Sequence, residues 1–214
     1  HLRLRQGGPG LVQTCPIPDP LTARTFIAMR ILLSLSLLLL PALSSAEVVQ
    51  SLEIKTYPVT YQADTSLRQA INSASPIRHN GKIFHGFTRW HVNWQFWWTE
   101  APNGQCAIHH TRTRVNGTIT LPVLHGAPTA ASQTFETYVT ALRQHEMGHY
   151  RFGLDAANHI DNAILALPPQ ASCALLEVTA NRVGRRLLDE AIRAEIEYDR
   201  DTQHGRHQGA VLDR

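Results

Sequence analysis

Large apolar residues occupy every second position in the segment from residue 90 to residue 98. The members of this pattern are Trp90, Val92, Trp94, Phe96 and Trp98. A period of two is typical of a β-strand with one buried face. Val48 to Val59 is rich in β-branched residues and is also expected to be a strand. Between these two strands, Asp64 to Ala74 has an apolar stripe at helical spacing and predicts a short helix.

Two Asn-Gly pairs follow the aromatic strand. Asn103-Gly104 predicts a first turn. Asn116-Gly117 predicts a second turn, between strands expected from Ala107 to Val115 and from Thr118 to Leu121. Together these segments predict an antiparallel sheet in the N-terminal half of the chain.

In the second half of the chain the spacing of the apolar residues changes from that of a strand to that of a helix. Apolar residues at i, i+3 and i+4 predict a helix from about Ser132 to Leu165, which Pro168-Pro169 ends. A second helix is expected from about Ser172 to Asp199. The sequence therefore predicts an α+β fold, in which an N-terminal antiparallel sheet packs on a C-terminal long helical hairpin.

The first of these helices carries the sequence His145-Glu146-Met147-Gly148-His149, an H-E-x-x-H motif. Residues four apart lie about 6 Å from each other along one helix face, so His145 and His149 can bind one ion, usually zinc. Both histidines continue the apolar stripe, where a buried polar side chain needs a partner. Glu146 lies between them and is the expected base for a metal-bound water.

The beginning of the chain has the layout of a leader. Residues 1–28 are unlike the rest and are interpreted as upstream over-translation before Met29. Residues 29–46 read as a secretory signal peptide, with a basic start, a short apolar core and small residues before a cleavage site after Ala46. The apolar core is too short for a bilayer, which needs about 20 residues. Residues 47–214 are then one domain, expected in the periplasm or outside the cell.

Charge and cysteine content both change when the leader is removed. The leader holds four of the 20 basic residues and one of the 17 acidic ones, so 16 of each remain. This balance gives no support for nucleic-acid binding or for a stable membrane interaction. Cys106 and Cys173 are the two cysteines left, and an even pair in an oxidising compartment predicts one disulfide bond.

Several features spread over the mature chain occur together in one bacterial family. They are Tyr57-Pro58-Val59, Trp90-x-Val92-x-Trp94, Cys106, the helical HEMGH motif, Cys173 and Tyr198-Asp199-x-x-Thr202-x-His204-Gly205. In these features the chain resembles the bacterial family of predicted secreted zinc-dependent proteases, which is classed as a domain of unknown function. The C-terminal YDxxTxHG is the most specific part. The resemblance implies a zincin-like fold and an inferred peptidase activity.

A catalytic zinc ion normally has three protein ligands and a water, so one ligand must come from outside the motif. If the helical hairpin folds about residue 168, Glu190 lies level with the motif. His204 follows the second helix by about five residues, a reach of up to ~17 Å. Because the resemblance includes the segment around His204, this histidine is the preferred third ligand, and Glu190 is the alternative.

These residues predict a secreted zinc-dependent endopeptidase that acts on a peptide or protein substrate. His145, His149 and His204 would hold the Zn²⁺, and Glu146 would act as general base. Tyr198, at the end of the buried stripe of the second helix, is a candidate for stabilising the oxyanion. The alternatives are a zinc-dependent amidase for peptidoglycan or another envelope substrate, and a non-catalytic exported zinc-binding module. Glu146 argues against the last, because a structural site needs no base.

Overall fold

The structure, a computed structural model, describes residues 45–79 and 81–212. The predicted upstream segment 1–28 and almost all of the predicted signal peptide 29–46 lie outside the described residues. Only Ser45 and Ala46 of that peptide are described, at the start of the first strand.

The main sheet has three strands, which we number with the two short strands in chain order. They are β1 (Ser45–Thr60), β2 (Arg78–His79), β3 (Lys82–Ile83), β4 (Phe87–Glu100) and β5 (Cys106–His125). β5 lies in the centre of the main sheet, with β1 and β4 on either side, and β2 and β3 form a separate pair.

The prediction of an antiparallel sheet is correct for one strand pair and wrong for the other. β4 is antiparallel to β5, but β1 is parallel to β5. The end of β1 and the start of β4 both lie near the end of β5, since Thr60 pairs with His125 and Phe87 with Thr120. The chain therefore reverses once before β4 and again before β5, and two reversals return it to the direction of β1.

β5 is one continuous strand, so the turn predicted at Asn116-Gly117 is wrong. Gly117 lies in the middle of the sheet, between Leu52 on β1 and Trp90 on β4. The Tyr150 ring lies so close to the Gly117 backbone that a Cβ there would overlap it. Glycine at this position admits an aromatic ring against the sheet instead of making a turn.

Three helices were predicted, and all three are present. They are α1 (Leu67–Ala74), α2 (Thr129–Leu165) and α3 (Cys173–Thr202), and a 3₁₀ turn at Arg206–Gln208 follows α3. The side chain of Ser66 accepts a hydrogen bond from the Gln69 backbone, and the Gln69 side chain accepts one from the Ser66 backbone. This reciprocal pair is a capping box, and it fixes the start of α1.

The alternating residues of β4 form the centre of the core against the helices. Trp94 and Phe96 are almost fully buried, with Ile160 of α2 and Leu176 of α3 among the other buried side chains. Tight contact is possible because Gly184 of α3 leaves room for the Trp94 ring. The α+β architecture is thus a sheet with the helical hairpin on one face. Among the described residues there is no helix long and apolar enough to cross a membrane.

The start of α3 is attached to the start of β5. Cys106 and Cys173 form the predicted disulfide bond. Beside it, the backbones of Cys106 and Gln170 exchange two hydrogen bonds of 2.9 Å each. These links hold the segment between the helices against the sheet and thereby set where α3 begins.

Candidate metal centre

His145 and His149 lie one turn apart on the buried face of α2, as the motif predicted. Their exposed fractions are 3% and 8%. The two Nε2 atoms lie 3.2 Å from each other. Two imidazoles whose Nε2 atoms converge in a buried position are one half of a metal site.

Asp199 of α3 completes the group. Its Oδ1 atom lies 3.2 Å from the Nε2 atom of His145 and 3.1 Å from the Nε2 atom of His149. Among the described residues, His145, His149 and Asp199 form one of two groups of ligand-type side chains close enough to share an ion. The other group, Glu100 with Cys106 and Cys173, contains the disulfide sulfurs, which are not free thiolates.

The triangle of two nitrogens and one oxygen has the size that a tetrahedral ion requires. Three ligand atoms at about 2.0 Å from such an ion lie about 3.3 Å from one another. The three edges measured here are 3.1, 3.2 and 3.2 Å. The residues present therefore fit a zinc-sized ion on their common side.

Each imidazole has a second partner at its other nitrogen. The Nδ1 atom of His149 lies 3.0 Å from Glu195 Oε1, which also accepts a hydrogen bond of 3.0 Å from the Trp90 indole. The Nδ1 atom of His145 lies 2.9 Å from Gln208 Oε1. Since both partners are acceptors, each Nδ1 carries a proton, and with a metal ion bound each neutral ring would direct its Nε2 lone pair at the ion.

The charges of the group stabilise one another. Burial opposes ionisation of Asp199, but hydrogen bonds from His145 and His149 outweigh it and hold the pKa of the carboxyl below its usual range. Burial also lowers the pKa of His149, yet hydrogen bonds to Asp199 and Glu195 outweigh that effect and raise it to about 10. A metal ion bound here would replace the proton that the anionic surroundings otherwise hold on His149.

Glu146 lies next to the ligand group but outside it. Its side chain is buried, and its Oε2 atom accepts a hydrogen bond of 2.6 Å from Thr88 on β4. Burial raises the pKa of this carboxyl, while the nearby His149 and the Thr88 hydrogen bond act in the opposite direction. Gly86 gives the carboxylate its space, because a Cβ at Gly86 would lie 2.6 Å from Glu146 Oε1.

A cavity of about 630 Å³ opens onto these residues. His145, Glu146, His149 and Asp199 all line it. The lining includes the start of β4 and the C-terminal part of α3 with the segment that follows it. The ligand group and the buried carboxylate therefore face a space large enough for part of a substrate.

His204, the third ligand predicted from the sequence, lies on the cavity wall beside Asp199. Its Nδ1 atom is 3.1 Å from Asp199 Oδ1, and 52% of its side chain is exposed. It is not part of the compact group of three. His204 is thus brought to the site, and its role as a ligand stays a prediction.

Glu190, the alternative ligand, is not brought to the motif. Its carboxylate forms an ion pair of 2.8 Å with Arg186 on the exposed side of α3. The helices instead face each other through the pairs His145–Asp199 and His149–Glu195. The midpoint of both pairs in the sequence is residue 172, not 168, so the residues level with the motif lie further along α3 than expected.

Tyr198 packs against the ligands from the side. Its ring stacks on His145 at 5.1 Å, and its hydroxyl donates a hydrogen bond of 3.2 Å to the His145 backbone carbonyl. Gly148 allows this approach, because a Cβ there would overlap the phenol. Tyr198 is not among the residues that line the cavity. The geometry supports a role in positioning His145, and a direct contact with substrate stays a prediction.

Three residues of the site were not found from the sequence: Asp199, Glu195 and Gln208. Two of them did leave a signal. Glu195 and Asp199 are four residues apart on one helix, the same spacing as His145 and His149 on the other. Two acids and two histidines at matching spacing on antiparallel helices can meet pairwise. Gln208 had no such signal, because it reaches His145 from the 3₁₀ turn after α3.

Comparison with known proteins places the chain in a family but not near a characterised protein. No match was found among curated proteins or among solved structures. Residues 54–205 match the family described as "Bacterial protein of unknown function (DUF922)". This match includes the H-E-x-x-H motif, Glu195, Asp199 and His204. The chain belongs to this bacterial family, DUF922, whose function is unknown.

Proposed function

We propose that this protein is a secreted zinc-dependent endopeptidase whose metal is held by His145, His149 and Asp199. The observation that carries the proposal is the triangle of ligand atoms with edges of 3.1 to 3.2 Å, beside the buried Glu146. A structural metal site has no use for a buried carboxylate next to it, whereas a hydrolytic site needs a base there. The fold that we propose is zincin-like, with the motif helix packed under a sheet.

Two nitrogens and one carboxylate oxygen in this arrangement suit zinc better than magnesium or calcium. Magnesium and calcium prefer all-oxygen sites with more ligands. When bound, zinc supplies a water of lowered pKa and polarises the carbonyl of a substrate.

Glu146 is the general base in this proposal. Its burial favours the neutral form, so the carboxylate takes up a proton more readily than an exposed glutamate does. Thr88 fixes one carboxylate oxygen by its hydrogen bond and leaves the other directed past Gly86. The same carboxyl can then return the proton to the nitrogen of the leaving amine.

The substrate that fits the cavity is an extended peptide. β4 is an edge strand of the main sheet, paired with β5 on one side only within the described residues. Residues 86–90, at its start, line the cavity next to Glu146. An edge strand offers free backbone groups at regular spacing, and an extended peptide can pair with them. This placement puts a peptide bond of the substrate beside the base.

His204 is the best-placed donor to the oxyanion that forms during hydrolysis. It lines the cavity and is half exposed, whereas Tyr198 does not line the cavity. An imidazole held by Asp199 can donate from its other nitrogen to a negatively charged oxygen. We therefore propose this role for His204, with metal ligation, as predicted from the sequence, as the alternative.

Export through the leader is part of the same proposal. The sequence of residues 29–46 has the signal-peptide layout, and the disulfide bond between Cys106 and Cys173 suits the periplasm or the cell exterior. A peptidase in that compartment would meet exported proteins as substrates.

The test combines metal analysis with hydrolysis on the purified, processed protein. We expect one zinc ion per chain and hydrolysis of casein that a chelator abolishes. Glu146→Gln should keep the zinc and lose activity by about 10²-fold or more. Asp199→Ala should lose the zinc, whereas Glu190→Ala, on the same helix, should behave as wild type.

Each contrary result removes a different part of the proposal. Full activity in Glu146→Gln would exclude the base, and full zinc content in Asp199→Ala would exclude the ligand. Zinc loss in His204→Ala would restore His204 as a ligand. Hydrolysis of cell-wall sacculi but not of casein would favour an envelope amidase on the same metal centre.

A further inference from the structure

Arginines are concentrated on the cavity walls away from the metal centre. Arg68 of α1, Arg193 of α3 and Arg206 of the 3₁₀ turn line the cavity, and Asp189 is the one acid that lines it besides Glu146, Glu195 and Asp199. Arg89 also borders the cavity, but it alternates with the buried Thr88 and Trp90, so its side chain belongs to the other face of the sheet. Away from the metal centre, the cavity lining therefore carries three arginines and one acid, Asp189.

This positive charge is local and does not follow from composition. After residue 46 the chain has 16 basic and 16 acidic residues. In the part of the cleft away from the metal centre, three of these basic residues face a single acid. Clefts with low-dielectric walls focus such a field and attract ligands of the opposite sign.

Arg193 and Arg206 have no protein partner for their side chains within the described residues. Some arginines elsewhere are paired, as Arg112 is with Glu47 at 2.6 Å and Arg186 with Glu190 at 2.8 Å. Neither Arg193 nor Arg206 forms an ion pair or side-chain hydrogen bond within residues 45–79 and 81–212. Their guanidinium groups are thus available to a ligand in the cavity.

Arg68 shows what a guanidinium in this cavity can bind. Its Nη2 atom donates a hydrogen bond of 2.5 Å to the backbone carbonyl of Leu212, whose side chain is buried. Ala210 and Leu212 both line the cavity. Part of the cavity wall is therefore formed by a stretch of the chain that Arg68 holds in place.

From these observations we infer that the preferred substrates are extended peptides with acidic side chains, which Arg193 and Arg206 bind. This inference rests on the proposed peptidase function and adds the substrate class to it. Carboxylates suit these walls because arginine binds them through two parallel hydrogen bonds. Basic peptides would meet two unpaired positive charges, and that repulsion excludes them.

The test measures binding separately from hydrolysis. Zinc-loaded Glu146→Gln protein is titrated with fluorescent peptides that differ only in acidic, neutral or basic side chains, and binding is followed by anisotropy. We expect acidic peptides to bind about tenfold more tightly than neutral ones at low salt, with the difference shrinking as salt is added. Wild-type kcat/KM should follow the same order.

Charge reversal assigns the effect to the two arginines. Arg193→Glu with Arg206→Glu should abolish or reverse the preference for acidic peptides. The matched control is Arg182→Glu with Arg185→Glu, the same charge change on exposed positions of α3 outside the cavity. The control should keep the preference, and zinc content shows that both variants fold.

The outcomes separate this inference from the proposed function. Equal binding of all three peptides, or a preference that survives Arg193→Glu with Arg206→Glu, overturns the inference. Tighter binding of an anionic polysaccharide than of any peptide also overturns it. If acidic peptides bind as expected but wild-type protein cleaves none, the ligand class stands and the peptidase proposal fails.

Discussion

The two histidines of the metal centre are oriented by chemically different groups. His149 is held by the carboxylate of Glu195, whereas His145 is held by the neutral amide of Gln208. A carboxylate at Nδ1 makes the imidazole a stronger electron donor at Nε2 than an amide does. We therefore expect His149 to contribute more than His145 to metal affinity.

Glu195→Gln tests this asymmetry. The variant keeps the shape of the side chain and an acceptor oxygen but removes its charge, so zinc affinity should fall about 10- to 100-fold. Competition with a chromophoric chelator measures the dissociation constant directly. Glu197→Gln, an exposed position on the same helix, is the control. An unchanged affinity in Glu195→Gln would show that the carboxylate does not tune the site.

A second buried carboxyl, Asp161, lies outside the metal centre. Its Oδ1 atom accepts a hydrogen bond of 2.8 Å from Thr113, whereas its Oδ2 atom and the nearby buried Thr111 hydroxyl form no well-directed hydrogen bond. Burial raises the pKa of Asp161. The folded state therefore disfavours the charged form, and stability is lost as the pH rises from the unfolded-state pKa through the raised folded-state pKa.

Asp161→Asn should remove this cost. An amide keeps an acceptor for Thr113 and adds a donor that can reach Thr111, so the variant should be more stable than wild type by about 1 kcal/mol at pH 8. Urea unfolding at pH 8 and at pH 4 measures the difference, which should shrink at the lower pH. A variant less stable than wild type at pH 8 would show that the ionised carboxylate is favoured in the fold.

At the scale of elements, periodicity predicted each helix, β1 and β4 to within a few residues, but the sequence wrongly divided β5 at Asn116-Gly117. α2 begins at Thr129 and ends at Leu165, against a prediction of Ser132 to Leu165. Periodicity does not predict how these elements pair and pack against one another. The parallel pairing of β1 depends on two chain reversals, and Gly117 is a site of close packing that has the local signature of a turn.

Because periodicity does not predict how elements pack against one another, only part of the candidate site was found from the sequence. His145, Glu146 and His149 follow from spacing on one helix, and the structure brings them to one cavity. Asp199 depends on the register between α2 and α3. That register is set by the extended segment at Gln170 and by the Cys106–Cys173 bond, both contacts with a distant strand. Helical periodicity does not predict this register, although the cysteine content did predict one of the two contacts, the disulfide bond.

Removing the disulfide tests its role as the anchor of α3. The bond joins residues 67 positions apart, and closing a loop of that length stabilises a fold by about 2–4 kcal/mol. Cys106→Ser with Cys173→Ser should lower the free energy of unfolding by this amount in urea titrations. Reductant should lower the stability of wild type equally and leave the variant unchanged. Equal stability of both proteins without reductant would contradict the anchor.

At the scale of the whole molecule, His85 joins three elements beside the cavity. Its Nε2 atom donates a hydrogen bond of 2.8 Å to Asn72 of α1, and its Nδ1 atom accepts one of 2.6 Å from the Tyr138 hydroxyl of α2. The Tyr57 hydroxyl of β1 donates to its backbone carbonyl at 2.8 Å. Since Asn72 Oδ1 can only accept, this arrangement uses the neutral ring, with its proton on Nε2.

His85 should therefore make the stability of the fold depend on pH. Burial, with a contribution from Arg68, lowers the pKa of His85 from 6.5 to about 4. The unfolded chain takes up this proton first, so stability is complete above pH 6.5 and is lost as the pH falls from 6.5 toward about 4.

His85→Gln removes the titrating group, and the difference in unfolding free energy between wild type and variant should change across this window. His159→Gln, on the exposed face of α2, is the control and should follow the wild-type curve. Parallel curves for wild type and His85→Gln would show that His85 is protonated equally in both states, and the neutral-ring arrangement would then be wrong.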